Sequence, residues 1–96
     1  MDVLSSELEQ QILNLWPGVR DSVFKDGGEL AKFIATEVSE LWTYHFGLGL
    51  YVRNNCLYPN EQLHQQFIDS GILYTDEMSS VMIRTWHTAL NDGVIK

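Results

Sequence analysis

Cysteine is almost missing from this chain: Cys56 stands alone among 96 residues. No internal disulfide can form, which fits a reducing compartment. Basic side chains are also scarce. Arg20, Lys25, Lys32, Arg53, Arg84 and Lys96 are scattered against 13 acidic residues, for a net charge of -7. A nucleic-acid surface needs clustered cations to displace counterions, so direct nucleic-acid binding is not expected. An anionic membrane surface is excluded on the same ground. No apolar run approaches the ~20 residues of a membrane helix. The opening MDVLSSELEQQ lacks the charged and apolar regions of a signal peptide. The expected location is the cytoplasm.

Catalytic constellations are equally thin. His45, His64 and His87 never stand three or four residues apart, so no helical metal pair exists and no metal is expected. Cys56 with a histidine is the only formal nucleophile–base pair, and its surroundings give no support to it. Gly47-Leu48-Gly49 lacks the third glycine, the preceding strand and the lysine of a phosphate loop. No cofactor is expected, and the chain does not read as an enzyme. The two glycines read instead as a notch that admits a neighbouring helix or a bulky ring such as Trp42, Tyr51 or Trp86.

What is present suits a packed core. The chain is 45% hydrophobic and 11% aromatic, enough for one domain over residues 1–96. Ser6 and Glu9 fit a capping box, with Leu8, Ile12, Leu15 and Trp16 on one helical face. Pro17-Gly18 is expected to stop that helix. Val23 and Phe24 read as core anchors, and Asp26-Gly27-Gly28 as a turn. From Leu30 the period near 3.6 runs through Phe33, Ile34, Val38 and Leu41. Residues 28–56 form either one helix or two with a break near Ala35-Thr36, and the pattern does not choose. Asn60 is placed as the next N-cap and Gly71 as that helix's C′ residue. Thr75 or Asp76 should cap a last helix that buries Met78, Val81, Met82, Thr85, Trp86 and Ala89. His87 falls beside that stripe. Asn91-Asp92-Gly93 ends it. The expected fold is all-α, a compact orthogonal bundle of four to five short helices.

One polar cluster interrupts an apolar face. On a helix, Trp42, Phe46, Gly49, Arg53 and Cys56 align, with His45 beside them. The guanidinium of Arg53 must then meet a carboxylate, carbonyls or water. The expected arrangement is an internal clasp of His45, Gly49, Arg53, Asn54, Asp76 and Ser79. The acids crowd the first forty residues. Glu7, Glu9, Glu29, Glu37 and Glu40, with Trp16, Tyr44, Tyr51 and Tyr58 as aromatic anchors, form the candidate partner surface.

The stretches HFGLGLYVRNN (45–55), LHQQFIDSGI (63–72) and DEMSSVMIRTWHTALN (76–91) resemble a family of small bacterial domains of unknown function. Its pattern is HFxLGxxIRNxxL, then L…F…GI, then DDMSxI and, further on, LN. The resemblance covers residues 41–91 and marks His45, Phe46, Gly49, Arg53, Asn54, Asp76, Met78, Ser79, Leu90 and Asn91. It implies no activity. The chain departs at Cys56-Leu57-Tyr58-Pro59, where the family tends to glycine and tryptophan, and at Glu77, which replaces a second aspartate. Residues 1–40 match poorly and are expected to be the variable acidic part that decides the partner.

These features point to a small acidic protein-interaction module. The expected form is an inhibitor that occludes a protein partner with a basic surface. A toxin-immunity protein fits, as does a phage-type antagonist of a nucleic-acid enzyme, such as an anti-CRISPR protein or DNA mimic. Two alternatives stay open. One is a small ligand-binding or enzymatic domain using His45, Arg53, Asn54 and Asp76. The other is a structural subunit or homodimer.

Overall fold

Ser5 opens the first helix, one residue earlier than the capping-box pattern places it. Its hydroxyl accepts from the Leu8 N–H at 3.1 Å, satisfying one of the orphan donors of the first turn. In this computed structural model, which describes residues 5–96, helix α1 runs Ser6–Val23. It passes through Pro17 rather than stopping there. Proline removes one helical hydrogen bond and crowds the carbonyl four residues back, a cost of roughly 3 kcal/mol. The buried stripe explains why the helix continues. Leu8, Ile12 and Trp16 lie before Pro17, and Val19 lies after it on the same face. Ending the helix at Pro17 would take Val19 out of the core, so tertiary burial overrides the local preference.

Helix α2 spans Gly27–Ala35, with the Asp26 carboxylate accepting from the Gly28 N–H at 2.8 Å. The break near Thr36 is real, but residues 37–56 do not form one second α-helix. Residues Val38–Tyr44 form a 3₁₀ helix, then α3 covers Leu48–Val52 and a π-helical turn covers Arg53–Leu57. Asn60 caps α4 (Glu61–Asp69) by accepting from the Leu63 N–H. Gly71, at φ 89°, closes it: the Ile72 N–H reaches the Phe67 carbonyl and the Gly71 N–H the Ile68 carbonyl. That pairing is a Schellman motif, which needs a left-handed residue at this place.

Helix α5 spans Thr75–Asn91. Its N-cap position is Tyr74, whose side chain caps nothing, so neither Thr75 nor Asp76 is the cap. Met78, Met82, Ile83, Trp86, Ala89 and Leu90 are buried along it. His87 is buried as well, against the expectation: its Nε2 lies 2.8 Å from the Thr36 carbonyl, and its ring meets Phe33 edge-on. With Asn91 donating to the Ile34 carbonyl at 3.1 Å, this straps the end of α2 to α5.

An aromatic group centres the core. The Trp16 and Trp86 rings stand 5.6 Å apart, and Phe24 and Phe33 stand 5.2 Å apart beside Trp16. Both buried indoles find acceptors, Trp86 at the Ile12 carbonyl (2.7 Å) and Trp16 at the Lys96 main-chain oxygen (3.0 Å). Buried indoles usually need such partners. The fold is all-α, with no strand among the described residues. No described helix is long and apolar enough to cross a membrane.

Candidate protein-interaction site

A 3₁₀ helix repeats every three residues, so side chains three apart eclipse and the helix presents three ridges. Residues 37–45 divide cleanly on that rule. Val38, Leu41 and Tyr44 form one ridge, with Leu41 buried and Tyr44 half-buried against Phe33. Ser39, Trp42 and His45 form a second. Glu37, Glu40 and Thr43 form a third, entirely exposed. Between the first two ridges and residues Ser80, Ile83 and Arg84 of α5 runs a groove of about 360 Å³.

Trp42 and Phe46 stand at this corner and are 69% and 80% exposed. They do not share a buried face with Gly49, Arg53 and Cys56, as a continuous α-helix would require. The 3₁₀ winding turns them away from the core. His45 lines the groove, and its ring stands edge-on to Phe46 at 5.0 Å. A second, more open depression of about 730 Å³ lies between Leu15, Asn55, Tyr58 and Glu61. Its walls are more polar, and no large exposed aromatic except Tyr58 borders it.

Behind the corner sits Arg53, an arginine only 7% exposed. Its Nη1 donates to the Ser79 hydroxyl at 2.9 Å, and Ser79 in turn donates to the Asp76 carbonyl at 3.0 Å. Its Nη2 reaches the His45 carbonyl at 3.4 Å, and its Nε stands 3.7 Å from the Asp76 carboxylate. The Asp76 side chain is 70% exposed, so water weakens that ion pair; the short bond to Ser79 is the stronger tie. Gly49 belongs here for a reason other than the one expected. A Cβ on it would stand 3.0 Å from the Arg53 Nη1, whereas one on Gly47 would meet nothing within 4 Å. The notch at Gly49 therefore admits the guanidinium of its own helix, not a neighbouring helix or ring. Asn54 is exposed, and its side chain makes no hydrogen bond among the described residues, so it stands outside this group.

The candidate partner surface divides. Glu7, Glu9, Glu29, Glu37 and Glu40 are all exposed. Among the described residues the ion pairs are Arg20–Asp21 and Arg53–Asp76, so none of these five is neutralised internally. Trp16 is buried in the core at 1% exposure and cannot serve as a surface anchor. Tyr44 and Tyr51 are half-buried against the core; Tyr58 is 51% exposed. The aromatics that do project are Trp42 and Phe46, which α-helical spacing would assign to the core. The sequence carries a signal for their exposure: the polar positions Glu37, Glu40 and Thr43 recur every three residues. No cluster of three histidine, cysteine, aspartate or glutamate side chains suited to a metal occurs among the described residues. Cys56 is buried, and burial pushes its thiol up, away from the thiolate.

Residues 28–90 match DUF6794, a domain family of unknown function. The chain belongs to this family. The match begins at residue 28 rather than 41, so the DUF6794 domain takes in α2, the 3₁₀ helix and the groove, as well as Arg53 and its partners. Helix α1, which supplies Trp16 to the core, lies before the match. No curated protein and no solved structure matches the chain.

Proposed function

We propose that this DUF6794 protein is a protein-interaction module that meets its partner through the corner made by the 3₁₀ helix. The observation that carries the reading is the exposure of Trp42 and Phe46, 69% and 80%, beside a groove partly lined by Val38, Leu41 and Ile83. Tryptophan is among the residues that most often dominate binding energy at protein interfaces. Large exposed aromatics that cluster, unlike scattered ones, mark a contact surface. The acidic ridge of Glu37 and Glu40 next to them favours a basic partner, because opposite charge speeds encounter and rejects wrong partners. An inhibitor that occludes a basic cleft, of the toxin-immunity or phage-antagonist kind, is the specific form that this acidity favours. On this reading the partner contact moves from residues 1–40 to residues 37–46.

The ligand-binding alternative has less support. Arg53 is engaged by Ser79 and the His45 carbonyl, Asn54 stands outside that group, and of the proposed set only His45 lines the groove. The test is quantitative affinity capture from the native host with three baits: wild type, a Trp42→Ser/Phe46→Ser variant, and a Leu73→Ser/Tyr74→Ser control. Leu73 and Tyr74 are similarly exposed but lie before α5. At least one protein should be depleted with the first variant and kept with the control. An identical set of captured proteins for all three baits would remove the proposal.

A further inference from the structure

The groove between the 3₁₀ helix and α5 has a mixed lining. Leu41 and Ile83 are its buried apolar part, and Val38 and Trp42 add exposed apolar surface. Ser39, His45, Ser80 and Arg84 are its polar part. Among the described residues no carboxylate lines it, although the chain carries 13 acidic residues and a net charge of -7. The winding explains that sorting. Glu37 and Glu40 fall on the third ridge of the 3₁₀ helix, whereas the groove takes the first two. On α5 the positions three and four residues from Arg84 are Ser80, Val81, His87 and Thr88, so no acid of its own helix lies beside it. Arg84 is exposed, has no ion pair among the described residues, and is the one fixed charge in the lining.

An unpaired arginine in such a lining calls for an anion, since a guanidinium grips a carboxylate through two parallel N–H bonds. The apolar residues call for a hydrocarbon body on that anion. Two magnitudes narrow it further. A water takes up about 30 Å³, so the groove's volume of about 360 Å³ corresponds to about a dozen water-sized groups. That is the size of an aryl or short alkyl acid, not of a nucleotide or a long-chain lipid. One cation balances one negative charge, and the net charge of -7 repels a polyanion. We infer that the groove binds a small apolar monocarboxylate, with its carboxylate on Arg84 and its hydrocarbon body against Leu41, Ile83 and Trp42. The Ser80 hydroxyl already donates to the Asp76 carbonyl at 3.0 Å, so Ser39 is the hydroxyl donor the lining offers. This site goes beyond the partner contact and does not depend on it. Phe46 lies outside the lining, and Trp42 is 69% exposed, which leaves aromatic surface for a protein.

The test titrates the whole chain with three acids of that size: 3-phenylpropanoate, 4-phenylbutyrate and octanoate. NMR of the tryptophan indole N–H signals follows the titration. Trp16 and Trp86 have their N–H groups bound inside the protein, so Trp42 reports the groove and the other two report the fold. At least one acid should shift Trp42 saturably below about 5 mM and leave Trp16 and Trp86 in place. The matching primary amides, similar in shape but uncharged, should bind at least about tenfold more weakly. Arg84→Gln should weaken the acid about tenfold. Lys25→Gln removes the same charge from an exposed position outside the lining and should alter binding less than about twofold. Ser39→Asp, which brings a carboxylate into the lining, should abolish the shift.

A Trp42 signal that none of the three acids moves would overturn the inference. So would amides that bind as well as the acids, or equal losses from Arg84→Gln and Lys25→Gln. Tighter binding of the tripeptide Gly-Gly-Phe, through its free C-terminal carboxylate, than of any of the three acids would overturn it too, making a partner's chain end the occupant. Partner contact through Trp42 and Phe46 is measured by affinity capture, so either reading can fall while the other stands.

Discussion

Residues 37–46 and 48–57 are neighbours in the chain, each rich in apolar side chains, and they treat those side chains in opposite ways. In the second stretch Leu48, Gly49, Val52, Arg53, Cys56 and Leu57 are all buried. They recur at three and four residues, the period that lays one face of a helix on a core. In the first stretch the chain winds with a period of three, and only Leu41 is fully buried. The other ridges go to water, carrying Trp42 on one and Glu40 on the next. The His45 carbonyl accepts from Arg53 at 3.4 Å, which ties the exposed corner to the buried frame. The second stretch is packed into the frame, and the first leaves its largest side chains open to solvent. Substitutions can separate the two.

The sharpest separation is Arg53→Ala against Trp42→Ala. Removing Arg53 opens a void beside Ser79 and frees α3 from α5. It should cost about 2–3 kcal/mol, lowering the thermal midpoint by roughly 10 °C or more. Trp42→Ala removes as large a side chain but from the surface. It should stay within about 0.5 kcal/mol of wild type. Equal losses in calorimetry would erase the distinction between frame and corner.

A smaller contrast lies between the two glycines. Gly49→Ala places a methyl 3.0 Å from the Arg53 Nη1, so the guanidinium must give by a few tenths of an ångström, which strains its bond to Ser79. It should destabilise by up to about 1 kcal/mol, the strained bond outweighing the helical gain of alanine. Gly47→Ala meets open space and should be neutral or slightly stabilising. Denaturant midpoints decide it, and the reverse order would place the tight contact at the wrong glycine.

Cys56 gives the frame a mild alkaline sensitivity. Burial pushes its thiol up, so the folded chain holds that proton more tightly than the unfolded one. The stability this carries is full below the unfolded value of about 8.5 and is lost as pH rises through the folded value. As pH rises above about 8.5 the wild type should lose more stability than Cys56→Ala. Parallel curves in urea unfolding would show that the thiol is exposed enough to ionise freely. A small effect on stability is expected from Trp42→Ser/Phe46→Ser, about 0.5 kcal/mol or less, together with the largest effect on partner capture.

Much of the architecture was readable in the residues. Asn60 and Gly71 bracket α4 because an acceptor side chain and a left-handed glycine leave few other uses for them. Asn91-Asp92-Gly93 ends α5 for the same reason, with Gly93 at φ 75°. Arg53 could be placed near Asp76 and Ser79 because a cation on an apolar face must find acceptors. Pro17 was misleading because its cost is local and fixed, whereas the burial of Val19 beyond it belongs to the whole fold. His87 was misplaced because its partner, the Thr36 carbonyl, becomes available only where α2 ends.

The residues by themselves determined the all-α class, the chain's acidity and the need for a partnered Arg53, since periodicity, charge and desolvation are properties of the sequence. Only the tertiary structure decided which aromatics are core and which are surface. Apolar residues three and four apart are compatible with either period, but Trp42, four residues after Val38, lies about 40° from it at 3.6 residues per turn and about 120° from it at 3.0. Packing in the folded chain settled it: Leu41 is held in the core while Trp42 stands in solvent.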